Sequence, residues 1–229
     1  MKTVGIIGGL GPETTAEFYL ELSFGCYLKN KENRPSILIW NVPGNYKVEE
    51  EVQTKSIGEE RYIPLLTKAA RILERGEADF LVMPCNTLHI FIDDIRKSVK
   101  IPVLSIVEET VKFLKLKKIS EVGILATTSS IKRKLYENVL KKEGIKQIIP
   151  DDFDQAKIGK IINNIVLNRH ANKDRQELFK IIDKFAEKGV RNVILACTDL
   201  QLLIPHHPKL KIYDTMKIFA DATVAEILK

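Results

Sequence analysis

The fold is decided by an apolar stretch, VGIIGG at positions 4–9, that returns as VGILAT at positions 122–127. A second pair follows in the same order: GEADFLVMPCNT at positions 76–87 and GVRNVILACT at positions 189–198. The first pair lies 118 positions apart, and Cys85 and Cys197 lie 112 positions apart. Two matched segments, in one order and at nearly one offset, indicate that the chain consists of two related halves.

Short apolar runs alternate with amphipathic stretches through both halves. The runs predict β-strands at residues 3–7, 36–40, 80–83, 103–106, 122–125, 147–149 and 193–196. The amphipathic stretches predict helices at residues 13–27, 61–75, 89–97, 108–114, 130–142, 154–167, 173–188 and 216–228. Helices of this length between strands favour right-handed crossovers. We therefore predict an α/β fold with two similar parallel-sheet domains.

The composition is that of an ordinary globular protein, with 45% hydrophobic and 29% charged residues in a chain of 229. No apolar run approaches the roughly 20 residues that span a bilayer, so no membrane partner is expected. The first residues lack the pattern of a secretory signal, and the cytoplasm is the expected location. The net charge is +6, but lysines alternate with glutamates and no recognition motif accompanies them, so we expect no nucleic-acid partner.

Cys85 and Cys197 occupy equivalent positions, each at the carboxyl end of an apolar strand in the turn that opens the next predicted helix. Two similar halves related by a pseudo-twofold axis would place equivalent residues on opposite walls of the cleft between them. A helix N-terminus lowers the pKa of a thiol, so one thiol and one thiolate can coexist near neutral pH. Such a pair is suited to inverting a carbon centre, because one sulfur removes a proton and the other delivers one to the opposite face.

Other uses of the cysteines remain open. Redox chemistry competes, although a CxxC motif is absent, and structural burial is the interpretation for Cys26, near the end of the first predicted helix. His89, one helical turn after Cys85, could tune the thiol, touch the substrate or serve as a packed or capping residue. The glycine-rich segment at positions 8–12 matches neither dinucleotide nor P-loop motifs, and no spaced Cys/His cluster indicates a metal.

Four motifs together resemble the aspartate/glutamate racemase family: GGLGPETT at positions 8–15, MPCNT at 83–87, LATT at 125–128 and ACT at 196–198. The resemblance spans nearly the whole chain. It implies two four-stranded α/β domains. The first comprises residues 1–107 together with a C-terminal helix, in residues 215–229, that returns to it, and the second comprises residues 108–214. The resemblance also implies a homodimeric amino-acid racemase that uses neither pyridoxal phosphate nor a metal, with Cys85 and Cys197 as the acid/base pair.

The same resemblance implies which residues hold the substrate. The residues expected to bind its α-carboxylate and amino group are Asn86, Thr87, Thr127, Thr128 and Thr198. Gly8, Gly9 and Gly11 would shape the floor of the cleft, and Asn41 would line its edge.

The window that would bind the substrate side chain departs from the family pattern. Aspartate-specific members tend to carry an arginine several residues beyond Asn-x-Pro, whereas residues 44–51 read GNYKVEEE, with Lys47 as the only base. Arg169 and Lys173 do not fall in register for a second basic residue. The missing bidentate clamp predicts an altered or broadened choice of amino-acid or dicarboxylate substrate. A hydantoin racemase, a maleate isomerase, a decarboxylase and a non-catalytic amino-acid-binding protein remain alternatives.

Overall fold

The computed structural model describes residues 1–204 and 206–229. Its contacts divide the chain into two compact units. Unit 1 consists of Met1–Asn45, Glu59–Thr110 and Met216–Lys229, and unit 2 consists of Tyr46–Gly58 and Val111–Thr215. Residues 46–58 are the main difference from the boundaries expected from the sequence, because their contacts are with unit 2 although they lie within the first half of the chain.

Strands and helices alternate along the described chain. The strands are β1 (Val4–Gly8), β2 (Ile37–Asn41), β3 (Phe80–Val82), β4 (Glu121–Ala126), β5 (Lys146–Ile148), β6 (Asn192–Ala196) and β7 (Lys211–Asp214). The helices are α1 (Pro12–Lys29), α2 (Tyr46–Lys55), α3 (Ile63–Arg75), α4 (Ile92–Ser98), α5 (Ile106–Leu116), α6 (Thr128–Lys132), α7 (Glu137–Lys142), α8 (Asp152–Val166), α9 (Asn172–Glu187) and α10 (Thr215–Ile227). Shorter 3-10 turns lie at Glu59–Tyr62, Thr87–Phe91 and Leu200–Leu202. Within these described residues, no helix is both long enough and apolar enough to cross a bilayer.

Each unit contains one parallel sheet. The strand order is β2-β1-β3 in unit 1 and β5-β4-β6-β7 in unit 2. The central strands β1 and β4 are almost wholly buried, as expected for parallel strands covered on both faces by helices. The α/β fold with two parallel sheets is therefore confirmed.

The two sheets repeat not only their topology but also their register. Ile6 pairs with Val82, which lies three residues before Cys85. In the second sheet Ile124 pairs with Ile194, which lies three residues before Cys197. The backbone pairing thus gives the two cysteines equivalent positions in their own sheets.

A glycine occupies the same place in both central strands. A Cβ at Gly5 would lie 2.6 Å from the side chain of Leu81, and one at Gly123 would lie 3.1 Å from Val193. Both are closer than ordinary van der Waals contact, so a side chain at either position would push its neighbours apart. The repeat is therefore present in the packing as well as in the sequence.

The predicted strand at residues 103–106 is wrong. Only Val103 pairs, in an isolated parallel bridge with Leu81. The pairing ends there because α5 begins at Ile106, where the Ser105 hydroxyl accepts a hydrogen bond from the Glu108 N–H at 3.3 Å. The first sheet therefore has a single bridge where the second sheet has its fourth strand, β7, which the sequence analysis missed.

Two predicted helices also differ from the structure. The stretch at 130–142 forms two short helices, α6 and α7, because Lys134 between them adopts a positive φ of 56°. The stretch at 89–97 begins with a 3-10 turn before α4. Helix α2 was not predicted. The remaining helices agree with prediction to within a few residues at each end.

The last helix belongs to the core of unit 1. On α10, Phe219 is fully buried and stacks on Phe18 of α1, with ring centroids 5.6 Å apart. The ring of His89 meets the same phenylalanine edge-on at 6.3 Å. The helix therefore connects α1 to the segment that follows β3.

Replacing Phe219 by alanine should cost unit 1 about 3–5 kcal/mol of unfolding free energy, because a fully buried aromatic ring leaves a cavity between α1 and α10. Denaturant unfolding followed by circular dichroism measures this change. Leu116→Ala, at a position that is 75% exposed, is the matched control and should change stability by less than about 0.5 kcal/mol. Equal effects of the two substitutions would contradict the packing described.

Candidate active site

Cys85 lies in a buried turn directly beyond β3. Its N–H donates to the carbonyl of Met83 at 2.8 Å, and the residue is 9% exposed. Asn86 and Thr87, the next two residues, are also buried. The helix expected to begin here is a 3-10 turn of five residues, Thr87–Phe91, so no long helix macrodipole starts directly after the thiol.

His89 fixes this turn in place. Its Nδ1 donates to the carbonyl oxygen of Cys85 at 2.6 Å, and its Nε2 accepts from the N–H of Ile106 at 3.1 Å. These two partners require the neutral tautomer with the proton on Nδ1. Burial lowers the pKa of His89 to about 4, with nearby Arg96 acting in the same direction. Among the roles that the sequence left open, the structure supports a packed residue that connects the Cys85 turn to the start of α5.

An ion pair supports the same connection. Arg96 on α4 donates through both terminal nitrogens to the Glu108 carboxylate on α5, at 2.8 and 2.7 Å. The guanidinium also donates to the carbonyl of Val103. The hydrogen bond from Arg96 holds the pKa of the Glu108 carboxyl below its ordinary value. The pair is half-exposed, so we treat it as geometric support rather than as a large stabilising contribution.

The glycine-rich loop after β1 packs closely against the end of β2. Gly9 has a φ of +79°, and a Cβ there would lie 2.6 Å from Oδ1 of Asn41. Its N–H donates to the Thr15 hydroxyl at 2.9 Å, and that hydroxyl donates to the carbonyl of Gly11. A Cβ at Gly8 would collide with Thr15. Glycine is therefore required where this loop approaches the Asn41 side chain.

The corresponding loop of unit 2 contains two threonines after β4. Thr127 is the N-cap of α6, since its hydroxyl accepts from the N–H of Ser130 at 3.2 Å. The Thr128 hydroxyl is buried and has no hydrogen-bond partner among residues 1–204 and 206–229. Gly159 of α8 leaves room beside it, because a Cβ at that position would lie 2.9 Å from the hydroxyl oxygen. A buried hydroxyl of this kind requires a further polar partner, which a bound molecule can supply.

Cys197 follows β6 directly, and its surroundings differ from those of Cys85. Its Sγ lies 3.5 Å from Oδ2 of Asp199 and donates its hydrogen to that carboxylate. Both residues are buried, and a 3-10 turn begins at Leu200. The sequence analysis did not single out Asp199. The available signal was the asymmetry of the repeat, in which C-N-T at Cys85 becomes C-T-D at Cys197.

Lys47 lies on the exposed side of α2 in unit 2. Its helix packs against α6 and α8, and Gln53 on the same helix is buried with an amide oxygen that has no partner within the described chain. Gln155 on α8 donates to the carbonyl of Ala126 at 2.9 Å, and its own amide oxygen is likewise unsatisfied within that part of the chain. The end of β4 therefore has more buried polar atoms around it than the sequence analysis identified.

The predicted site residues form two groups, one in each unit, and all except Lys47 lie in the loops around the carboxyl ends of the strands of their own sheet. The group in unit 1 comprises Gly9, Gly11, Asn41, Cys85, Asn86 and Thr87. The group in unit 2 comprises Lys47, Thr127, Thr128, Cys197 and Thr198. Ligand sites in open parallel sheets lie at these strand ends. The binding and catalytic roles of these residues stay predictions, and Lys47 lies apart from the strand ends on α2.

Replacing His89 by glutamine should remove a pH-dependent part of the stability. The pKa of His89 is depressed in the folded state, so its contribution is present above about pH 6.5 and is lost as the pH falls toward 4. This amounts to about 3 kcal/mol across the window. Urea unfolding at several pH values should show a shallower acid loss for His89→Gln. His170→Gln, at an exposed histidine, is the control. Identical slopes for wild type and His89→Gln would contradict the neutral buried imidazole.

Comparisons with known proteins agree on one family. The family model described as "Asp/Glu/Hydantoin racemase" matches residues 7–223. The chain is 28% identical over 232 residues to the broad specificity amino-acid racemase RacX of Bacillus subtilis (strain 168), and the match covers 98% of each protein. The solved structure of an aspartate racemase homologue from Pyrococcus horikoshii OT3 superposes with a TM-score of 0.78 at 25% identity, covering all of both chains.

A further solved structure supports the fold. The aspartate racemase of Picrophilus torridus gives a TM-score of 0.82 at 23% identity, over 100% of this chain and 95% of that one. The family model covers most of the chain, including both loops that contain the cysteines. This chain belongs to the Asp/Glu/hydantoin racemase family.

Proposed function

We propose that the protein is a cofactor-independent amino-acid racemase in which Cys85 and Cys197 act on opposite faces of one α-carbon. The observation that carries this proposal is the equivalent position of the two cysteines in their sheets. Cys85 lies three residues after Val82, which pairs with Ile6 of β1. Cys197 lies three residues after Ile194, which pairs with Ile124 of β4. Family membership and the similarity to named amino-acid racemases support the reaction class.

The proposed reaction requires a base and an acid in a single turnover. In one direction the Cys85 thiolate removes the α-proton, and the Cys197 thiol delivers a proton to the opposite face; the reverse direction exchanges the roles. Negative charge builds up on the substrate carboxylate as the proton leaves, so hydrogen-bond donors there lower the barrier. The donors that we propose for the carboxylate and amino group are Asn86, Thr87, Thr127, Thr128 and Thr198.

Asp199 makes the two thiols different. A carboxylate that accepts the S–H of Cys197 stabilises the thiol form over the thiolate. We therefore assign Cys197 as the acid and Cys85 as the base in the free enzyme. Asp199 acts here as a positioning residue, because it contacts the sulfur and not the reacting carbon.

The substrate side chain would be bound without an arginine clamp. Lys47 offers one flexible charge in place of a planar bidentate group, so it discriminates weakly between carboxylate and other side chains. The unsatisfied amide oxygens of Gln53 and Gln155 are neutral acceptors. These features support activity on several amino acids, as does the printed name of the Bacillus subtilis relative, a broad specificity amino-acid racemase.

The setting that we propose for this activity is a cytoplasmic homodimer acting on free amino acids or dicarboxylates. Its chemistry needs neither a cofactor nor a metal, and it does not involve nucleic acid or a membrane surface.

Serine at either position 85 or 197 should lower kcat/KM for racemisation by on the order of 10²- to 10⁴-fold, because a hydroxyl is a much weaker acid than a thiol and does not ionise near neutral pH, so it neither donates the proton readily nor supplies an anionic base. Optical rotation or chiral chromatography of the product measures this loss, and calorimetry should show that the amino acid still binds. Cys26→Ser is the matched control, since Cys26 is buried in unit 1 on α1 and should not affect turnover. Full activity in either active-site variant would contradict the mechanism, and binding without turnover in the wild type would indicate a sensor.

A panel of amino acids should show that aspartate is not the exclusive substrate, with at least one neutral or basic amino acid racemised within about 10-fold of it. Lys47→Arg should raise kcat/KM for aspartate relative to alanine by about 10-fold, because a guanidinium can bind a carboxylate through two hydrogen bonds. Lys55→Arg on the same helix is the control and should leave the ratio unchanged. Strict aspartate specificity in the wild type would contradict the proposal that Lys47 discriminates only weakly between substrate side chains.

A further inference from the structure

Helix α1 has apolar side chains on its solvent-facing side as well as on its buried side. Phe18 and Leu22 face the core and are fully buried. On the other side the exposed fractions are 48% for Leu20, 64% for Phe24 and 59% for Tyr27. Spacings of four and three residues place these three side chains in one stripe along the helix. A continuous apolar stripe on a surface indicates an interaction site.

The two ends of this stripe have opposite charges. Glu13 and Glu17 precede Leu20 by seven and three residues, and therefore lie on the same face of the helix toward its N-terminus. Lys31 follows Tyr27 by four residues, just beyond the helix end, and is exposed. The stripe is therefore acidic at its start, apolar in the middle and basic at its end.

When the stripes of two copies run antiparallel, the acidic end of each faces the basic end of the other. We propose that α1 forms the interface of a homodimer, in which the stripes of two copies pack antiparallel about a twofold axis near residue 22. In this arrangement Leu20 meets the partner's Phe24, and Glu13 meets the partner's Lys31. The interface is isologous, as a closed dimer requires, because every contact occurs twice.

A surface groove at the basic end fits the same arrangement. It has a volume of about 450 Å³ and is lined by Ser23, Phe24, Tyr27, Asn30, Lys31, Glu32, Asn33 and Arg34. Two of these residues are basic and one is acidic, and Lys29 is close by on the chain, so the rim favours an acidic occupant. In the antiparallel pairing this groove receives Glu17 of the second copy.

The properties of Glu17 support this contact. Burial raises the pKa of its carboxyl above the ordinary value, and the negative charge of Glu21 one turn later acts in the same direction. A basic rim supplied by a second copy would stabilise the charged form. The helix has 18 residues and is therefore about 27 Å long, which gives a two-helix contact room for several such pairs.

The proposal locates the homodimer of the preceding section and rests on that assembly. Sedimentation velocity of the full chain should give a wild-type species of twice the 26.0 kDa chain mass. Phe24→Glu should weaken dimerisation by on the order of 100-fold, because it buries a charge against an apolar partner. Leu116→Glu, at a side chain that is 75% exposed outside the stripe, is the matched control and should remain dimeric.

A charge reversal tests the antiparallel register. Glu13→Lys and Lys31→Glu should each weaken the dimer by several-fold, and the double variant should restore it to within about 2-fold of wild type, because both pairs are then reversed. Circular dichroism confirms that each variant is folded. A dimer unaffected by Phe24→Glu overturns the α1 interface but not the homodimer itself. The same holds if the double variant dimerises more weakly than both single variants. A monomeric wild type overturns both the interface and the homodimer, while racemase assays judge the catalytic proposal separately.

Discussion

The backbone pairing of β1 with β3 and of β4 with β6 is the constraint on which the rest of the structure depends. These pairs fix where each strand ends. Cys197 follows the end of β6 directly, and Cys85 lies three residues beyond the end of β3. Parallel pairing also requires helical crossovers, which account for most of the remaining elements. A slip of one residue in either pair would turn the strand's side chains to the opposite face and misplace the sulfur.

Around this shared framework the two cysteine turns have become different. The Cys85 turn is held through its backbone, because a neutral buried imidazole links its carbonyl to the start of α5. The Cys197 turn is held through its side chain, because Asp199 accepts from the sulfur. In the proposed mechanism the enzyme acts on both enantiomers, yet its free state needs one thiol and one thiolate. The unequal partners provide a physical reason for that resting difference.

The sequence predicted the parts of the fold that depend on strong local patterns. The buried runs of β1, β4 and β6 and the long helices were recognisable because apolar spacing alone defines them. The strand predicted at Val103 was wrong because a helix capped by Ser105 begins immediately afterwards. Strand β7 was missed because it has only four residues, KIYD, with a charged residue at each end. The equivalent positions of Cys85 and Cys197 were recognisable from the repeat, and their catalytic role stays a prediction. Asp199 and the role of His89 were not recognisable in this way, since each depends on a side-chain contact that spacing does not reveal.

The central claim is that two sulfurs, and not one, exchange protons with a single α-carbon. The most direct measurement is racemisation of one pure enantiomer in deuterated water, stopped within the first few per cent of conversion. Separate mass spectra of product and remaining substrate then report where deuterium has entered. We predict deuterium at the α-carbon of the product and almost none in the remaining substrate, because the acid that protonates the product exchanges with solvent while the base retains the substrate proton. Deuterium appearing equally in both enantiomers would show a single exchanging base and would contradict the account.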